Sequence, residues 1–486
     1  MTSAPISRRR AIVLGGLGAA AVATGATGWI ATGAGAGSRL RPADTGAELR
    51  QPQVLDSRAG RLQVELTAAA GVRLAGRDTR GLGYNATAPG PTLRVRPGDE
   101  LAVRLTNRLD EPTNLHTHGL RVSPETNSDN PFLRVDPGTS FDYLYRIPSD
   151  HPAGTYWYHP HHHGMVANQI FGGLVGALLV APPGPDPDLP VVEDRVLVVT
   201  DTTLDGDGGL VEVNAMDRAM GRQGELVLVN GQHQPTIPAA PGATQRWRIV
   251  NGCVSRVLSI RLDAHQLVRV AQDGTFLPAP VAADRVMLAP GNRVDVIVRP
   301  TGTGHFPLIA DAVDRGGMGG MGGGTATSGP ITLATMVSSG APVTAPSLPS
   351  ALPAEEPAAG PVTGRRRVAF QMGMGMGGMA FTIDGRTFDP ERDDQTVTLG
   401  AIEEWTIDNP GPLAHPFHLH VWPFTVLDYS DATLPTGVPQ DVVLVPARGW
   451  VRLRIPFTTY SGRSVYHCHI LDHEDAGMMA TVNVRP

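Results

Sequence analysis

The stretch PGDELAVRLTN (residues 97–107) returns twice, as PGATQRWRIVN (241–251) and as LGAIEEWTIDN (399–409). Each has Gly second and Asn last, nine positions apart, with large apolar residues alternating between them: Val103 and Leu105, Trp247 and Ile249, Trp405 and Ile407. Alternation of period two marks a half-buried strand entered from a turn. The glycines Gly98, Gly242 and Gly400 recur 144 and 158 residues apart, an interval of domain size and too long for a solenoid repeat. Sustained helical periodicity is not evident, and 58 Gly with 43 Pro require many turns and short strands. The reading is all-β, with three antiparallel sandwiches or barrels in one chain of 486 residues.

Stretches of linker composition divide the three units: APPGPDPDLP (181–190) and the Pro/Ala/Ser-rich run from Ser338 to Pro361. The expected domains are 45–183, 190–340 and 362–486, with a linker at 341–361. A net charge of −6 and a pI near 6.2 give no reason to expect a nucleic-acid partner. The N-terminus has Arg8-Arg9-Arg10, an apolar run from Ala11 to about Ile30, and Ala34-Gly35-Ala36, which reads as a charged region, a hydrophobic core and a cleavage site. The paired arginines predict a twin-arginine signal peptide over 1–36, hence passage through the twin-arginine translocation machinery to a periplasmic, extracytoplasmic or secreted location. A retained membrane anchor is the alternative, weakened by the Ala, Gly and Thr content of the run. Of the two cysteines, Cys253 has the pattern of a small buried apolar residue, and Cys468 sits between two histidines. A bridge between them would be the sole intramolecular disulfide.

The outer two units share a second pattern. Unit 1 carries HTH (116–118) and YHPH (158–161); unit 3 carries HLH (418–420) and YHCH (466–469); unit 2 has no His-x-His. On a strand, residues i and i+2 project to one face, so each pair presents two imidazoles in one direction. Imidazole suits copper, zinc, iron and nickel alike, and eight of them without a nearby carboxylate ligand exceed what one mononuclear site uses. A cluster in a cleft between units 1 and 3 is the simplest arrangement. Cys468, lying between His467 and His469, faces the opposite way from both. With His415 of HPFHLH, and with His473 and Met478 beyond, it completes two His, one Cys and an axial Met, the donor set of a blue-copper electron-transfer site. Unit 1 has Pro160 where unit 3 has Cys468, so it should hold no second such centre.

On the motifs HTHG (116–119), WYHPHHHG (157–164), HPFHLH (415–420) and HCHILDHEDAGMM (467–479), the chain resembles the multicopper oxidases: laccases, bilirubin oxidases and cuprous oxidases. The resemblance covers essentially the whole chain after the signal. It implies three cupredoxin-like Greek-key β-sandwich domains and four coppers per chain, with O2 and a small reducing substrate as partners. His415, Cys468, His473 and Met478 match the type 1 ligands, and His116 and His418 the type 2 pair. His118, His159, His161, His420, His467 and His469 match the ligands of the type 3 pair. Reduction of oxygen to water consumes protons, and Glu474 stands where the family often has its relay acid, while Asp129 resembles its acid near the type 2 copper.

The function this implies is an exported oxidase of phenols or aromatic amines. GGMGGMGGG (316–324) and QMGMGMGGM (371–379) add an alternative: thioethers select Cu(I), which suits a copper-tolerance protein acting as cuprous oxidase or Cu(I) store. The same segments read equally as flexible Gly-rich loops. Cuprous oxidases have Asp and Met four and two residues before the type 1 histidine of HPF, where this chain has Gly411 and Leu413. A ligand-free structural relative, such as an exported cell-division protein, would have lost histidines that are all present here.

Overall fold

The computed structural model describes residues 38–182, 189–191, 193–317, 329–375, 378–430 and 437–486. The expected signal peptide, Met376 and most of the first Met-rich segment lie outside them. Among the described residues no helix is long and apolar enough to cross a membrane. The secondary structure of the described residues is strand with three short helices.

The repeated stretch occupies the same place in three two-sheet sandwiches. Strands Glu100–Asn107, Gln245–Asn251 and Ala401–Asn409 each pair in parallel with one neighbour (Arg61–Ala70, Glu193–Thr202, Gly364–Gly375). On the other side each pairs antiparallel, with Ser140–Arg146, Arg293–Val298 and Gly449–Phe457. The glycine before each strand has φ of +87°, +80° or +91°, a left-handed turn conformation that explains its recurrence. The closing asparagine does one job three times. Asn107, Asn251 and Asn409 each accept the N–H two residues on through Oδ1 and donate through Nδ2 to carbonyls of the following loop. Those loops deliver the chain to His116 in unit 1 and His415 in unit 3.

Each sandwich encloses its own apolar core, with Tyr84 and Tyr143 in the first, Trp247 in the second, and Trp405, Trp422 and Phe417 in the third. A further cluster joins Trp157 and Ile170 of unit 1, Val198 and Val250 of unit 2, and Leu471 of unit 3. The second Met-rich segment is a hairpin rather than a loop: Gly364–Gly375 pairs with Gly378–Ile383, placing Met374 opposite Met379. Gly has poor strand propensity, but the alternating Phe370, Met372, Phe381 and Met379 pack on the unit 3 core and hold the pairing.

The junction of units 1 and 2 buries charge. Asp295 accepts from Arg246 (2.6 Å), Arg248 (3.3 Å) and the Thr155 hydroxyl of unit 1 (2.7 Å), all nearly without solvent. Burial raises its pKa, but the two guanidiniums outweigh this and hold it below the usual value. Removing one partner of such a buried pair costs about 3–5 kcal/mol, because uncompensated charge remains. Asp295→Ala is therefore expected to lose stability of that order in chemical denaturation, and a loss under about 1 kcal/mol would contradict this account.

Candidate metal centre

The four histidine pairs meet because their strands do. In unit 1, His116–His118 lies antiparallel to Gly154–His159, with His159 opposite His116. In unit 3, His415–Leu419 lies antiparallel to Gly462–Cys468, with His467 opposite His418. The two arrangements face each other, and rings from opposite domains stack: His116 on His420 (centroids 3.8 Å apart) and His118 on His418 (3.9 Å). A one-residue slip of either histidine strand would turn that strand's imidazoles away from the cleft.

All eight histidines are buried. Burial, followed by their mutual repulsion as cations, holds the pKa of His116 and His420 far below the ordinary value. His161 and His467 are lowered to about 4, in each case chiefly by burial. Neutral imidazoles offer lone pairs, and the outward nitrogen of several is already committed. Nδ1 of His159 donates to the Pro160 carbonyl (2.8 Å), that of His467 to Cys468 (3.0 Å), and that of His418 to Asp441 (2.8 Å). Nδ1 of His116 donates to the Asp129 carboxylate (2.9 Å). Each anchor fixes a tautomer and leaves Nε2 free for a metal. His467 Nε2 stands 3.1 Å from His161 Nε2 and 3.2 Å from His420 Nε2. His116 Nε2, His418 Nε2 and both nitrogens of His469 are buried without a hydrogen-bond partner, a costly state that bound cations would relieve.

A second donor set lies behind the first. Cys468 Sγ is 3.3 Å from His415 Nδ1 and 4.0 Å from His473 Nδ1, and the three are fully buried. His473 Nε2 is anchored on the Ala219 carbonyl (3.1 Å), and Phe381 stacks on the ring (4.3 Å). Met478 is buried in the same core, and its carbonyl accepts the Cys468 N–H (3.0 Å). Burial pushes the Cys468 thiol above its ordinary range, so thiolate formation requires a cation at this site. Cys253 is buried in the unit 2 core and, like Cys468, is a free thiol.

Glu474 and Asp129 are both inside. Glu474, on the short helix Leu471–Asp475, has oxygens 3.4 Å from His161 Nε2 and 3.1 Å from His467 Nδ1, neither in a hydrogen bond. Burial raises it to about 7, against the pull of His161. Asp129 is also raised to about 7 by burial, despite accepting from the Thr117 N–H and hydroxyl. A third carboxylate stands beside the imidazoles: Asp441 Oδ1 lies 3.0 Å from His118 Nε2. Asp441 falls outside every motif, 21 positions from His420, and no local spacing points to it. Two other acids of the terminal helix also escaped the sequence. Asp472 holds Arg222 of unit 2, and Asp475 accepts the N–H groups of Gly164, Val166 and Ala167 in unit 1. His162 and His163 are half-buried, and His163 packs on Phe388.

Multicopper oxidase models match residues 66–185, 193–341 and 361–486, one for each sandwich. The chain belongs to the multicopper oxidase family. Family membership implies copper and an oxidoreductase using O2. The chain is 27% identical over 480 residues to a laccase of Bacillus subtilis, covering 84% of this chain and 90% of the laccase. It is 30% identical over 414 residues to the cell division protein FtsP of Yersinia pestis, covering 83% of this chain and 82% of FtsP. The solved structure of a Campylobacter jejuni multicopper oxidase, described as a metallo-oxidase, superposes with a TM-score of 0.82 at 28% identity, covering 93% of this chain and 98% of that one.

The buried imidazoles make the metal-free oxidase acid-sensitive. A histidine whose folded pKa lies below the ordinary 6.5 binds fewer protons folded than unfolded, so its contribution to stability is present above 6.5 and lost as pH falls. For His161 and His467 the loss runs down to about pH 4. Copper-free protein should lose thermal stability steadily across that window, measured by calorimetry. A stability that does not change between pH 6.5 and about 4 would show that burial does not hold the cleft histidines neutral.

Proposed function

We propose that this multicopper oxidase is exported by the twin-arginine pathway and couples one-electron oxidation of phenols or aromatic amines to four-electron reduction of O2. In this reading His415, Cys468, His473 and Met478 hold a type 1 copper, and His116 and His418 a type 2 copper. His118, His159, His161, His420, His467 and His469 hold a type 3 pair, giving four coppers per chain. Copper, when bound, supplies the one-electron redox chemistry that the side chains lack.

The observation that carries the reading is the division at Cys468. Its sulfur belongs with His415 and His473, while the residues on either side belong to the cleft. Backbone from Cys468 to His467 and His469 therefore joins the two donor sets covalently. Glu474 sits against His161 and His467 with a pKa of about 7, suited to releasing and regaining protons at neutral pH. Asp129 holds His116 in its tautomer and, at a similar pKa, is a second proton source.

Gly411 and the fully buried Leu413 offer neither acid nor thioether before His415, which supports organic substrates. One observation favours a second reading, Cu(I) oxidation or storage. Helix Ala215–Met220 covers the edge of His473 through Ala219, and His415 is likewise fully buried. Around this region Met216 is 60% and Met374 82% exposed, and Met220, Met372 and Met379 pack at the core margin. Thioethers there would pass Cu(I) more readily than a bulky phenol could reach the imidazole.

Wild-type protein should bind near four coppers per chain with an intense blue band. Cys468→Ser is expected to abolish that band and substrate oxidation while keeping the cleft copper. Retained blue colour, read by absorption and metal analysis, would assign the thiolate to Cys253 instead.

Glu474→Gln removes the transferable proton but keeps the shape of the side chain. Reoxidation by O2 should slow by about 10²-fold or more, the usual worth of a general acid, with reduction by substrate nearly unchanged. Rapid mixing separates the two half-reactions, and unchanged reoxidation would remove Glu474 from the proton path.

A further inference from the structure

Unit 2 holds none of the donor residues, yet it reaches the cleft. The turn 289–292, between strands Val286–Leu288 and Arg293–Val298, lies against the cluster. A Cβ on Gly291 would sit 3.0 Å from His469 Nε2 and 3.1 Å from His118 Cε1, so unit 2 backbone touches imidazoles of both outer domains. Arg293, at the end of this turn, has no solvent exposure and clamps Asp441 of unit 3 through NH1 to Oδ1 (2.7 Å) and NH2 to Oδ2 (2.6 Å). Its Nε donates to the Thr155 carbonyl of unit 1 (3.2 Å). Asp441 Oδ1 also takes the Nε2–H of His118 in unit 1 (3.0 Å), and its backbone carbonyl takes the Nδ1–H of His418 (2.8 Å).

We propose that Arg293 and Asp441 are the positioning pair of the cleft, through which the metal-free domain sets the donor geometry of His118 and His418 across the interface of the outer domains. The inference rests on the copper-centre reading above. With three N–H groups on its two oxygens, Asp441 is held from units 1 and 2 and acts as an orienting anion rather than a ligand. Its bond to Nε2 makes His118 present Nδ1 to the cleft, where it lies 3.4 Å from His159 Nε2. The anchored neighbours His116, His159, His418 and His467 present Nε2. Gly119, with φ +86°, follows from the same pair: a Cβ there would collide with the Arg293 guanidinium and the Asp441 carboxylate. The fourth letter of HTHG makes room for the clamp.

The test uses full-length copper-loaded protein and follows copper retention against a chelator together with the electron paramagnetic resonance of the type 1 and type 2 coppers. Loss of a residue that orients a metal ligand typically weakens binding by 10–100-fold. Asp441→Asn is expected to shed cleft copper about 10–100-fold more readily and to alter the type 2 signal, with the type 1 absorption and signal unchanged. A merely structural role would disturb both signals together. Arg293→Lys, which keeps the charge but not the fork, should give a smaller loss of the same kind and decides the matter if Asp441→Asn does not fold. Wild-type copper retention and an unaltered type 2 signal in Arg293→Lys, or in a folded Asp441→Asn, would overturn the proposal. A wild-type chain that holds no cleft copper would instead sink the copper-centre reading itself.

Discussion

Eight imidazoles in a cleft closed to solvent cannot be charged together, and the structure is organised around keeping them neutral and aimed. Burial makes the charged form costly, and the neighbouring rings raise that cost. A neutral imidazole must still place its one N–H. Carbonyls of Pro160, Cys468 and Asp441, and the Asp129 carboxylate, take those protons from behind. What remains facing inward is a set of lone pairs.

The same constraint explains why three domains are needed where two carry the donors. Antiparallel pairing inside units 1 and 3 fixes each half of the cleft, but the halves belong to separate sandwiches. Polar contacts tie them together. Asp475 accepts three N–H groups at the start of the unit 1 helix Val166–Gly172, and Asp472 pairs with Arg222 of unit 2. Arg293 adds its clamp on Asp441. The five-residue helix Leu471–Asp475 thus connects all three domains while carrying His473 and Glu474 on intervening positions.

Among the relatives the fold serves both a laccase and a cell division protein, so fold does not decide activity. The donor sets do. In this chain the histidines of both are buried, the Cys468 thiol sits beside His415 and His473, and an acid with a pKa of about 7 lies inside the cleft.

Much of this was legible in the sequence because it depends on local spacing. Gly98 and Asn107, with their two later counterparts, recur because each turn and strand end uses the same left-handed Gly and the same side-chain bonds. His-x-His and the His-Cys-His alternation are strand periodicity, so the facing of Cys468 away from His467 and His469 could be read from position alone. Three features could not. Asp441 and Arg293 meet from domains 148 residues apart, and no spacing rule links them. The Met-rich hairpin looked like a loop, since Gly-rich sequence carries little strand preference until packing of Phe370 and Phe381 supplies it. The burial of His473 beneath Ala219 depends on a helix from a different domain. Sequence determined which side chains face together along one strand; tertiary structure decided which faces meet, because contacts between domains follow no periodicity in the chain.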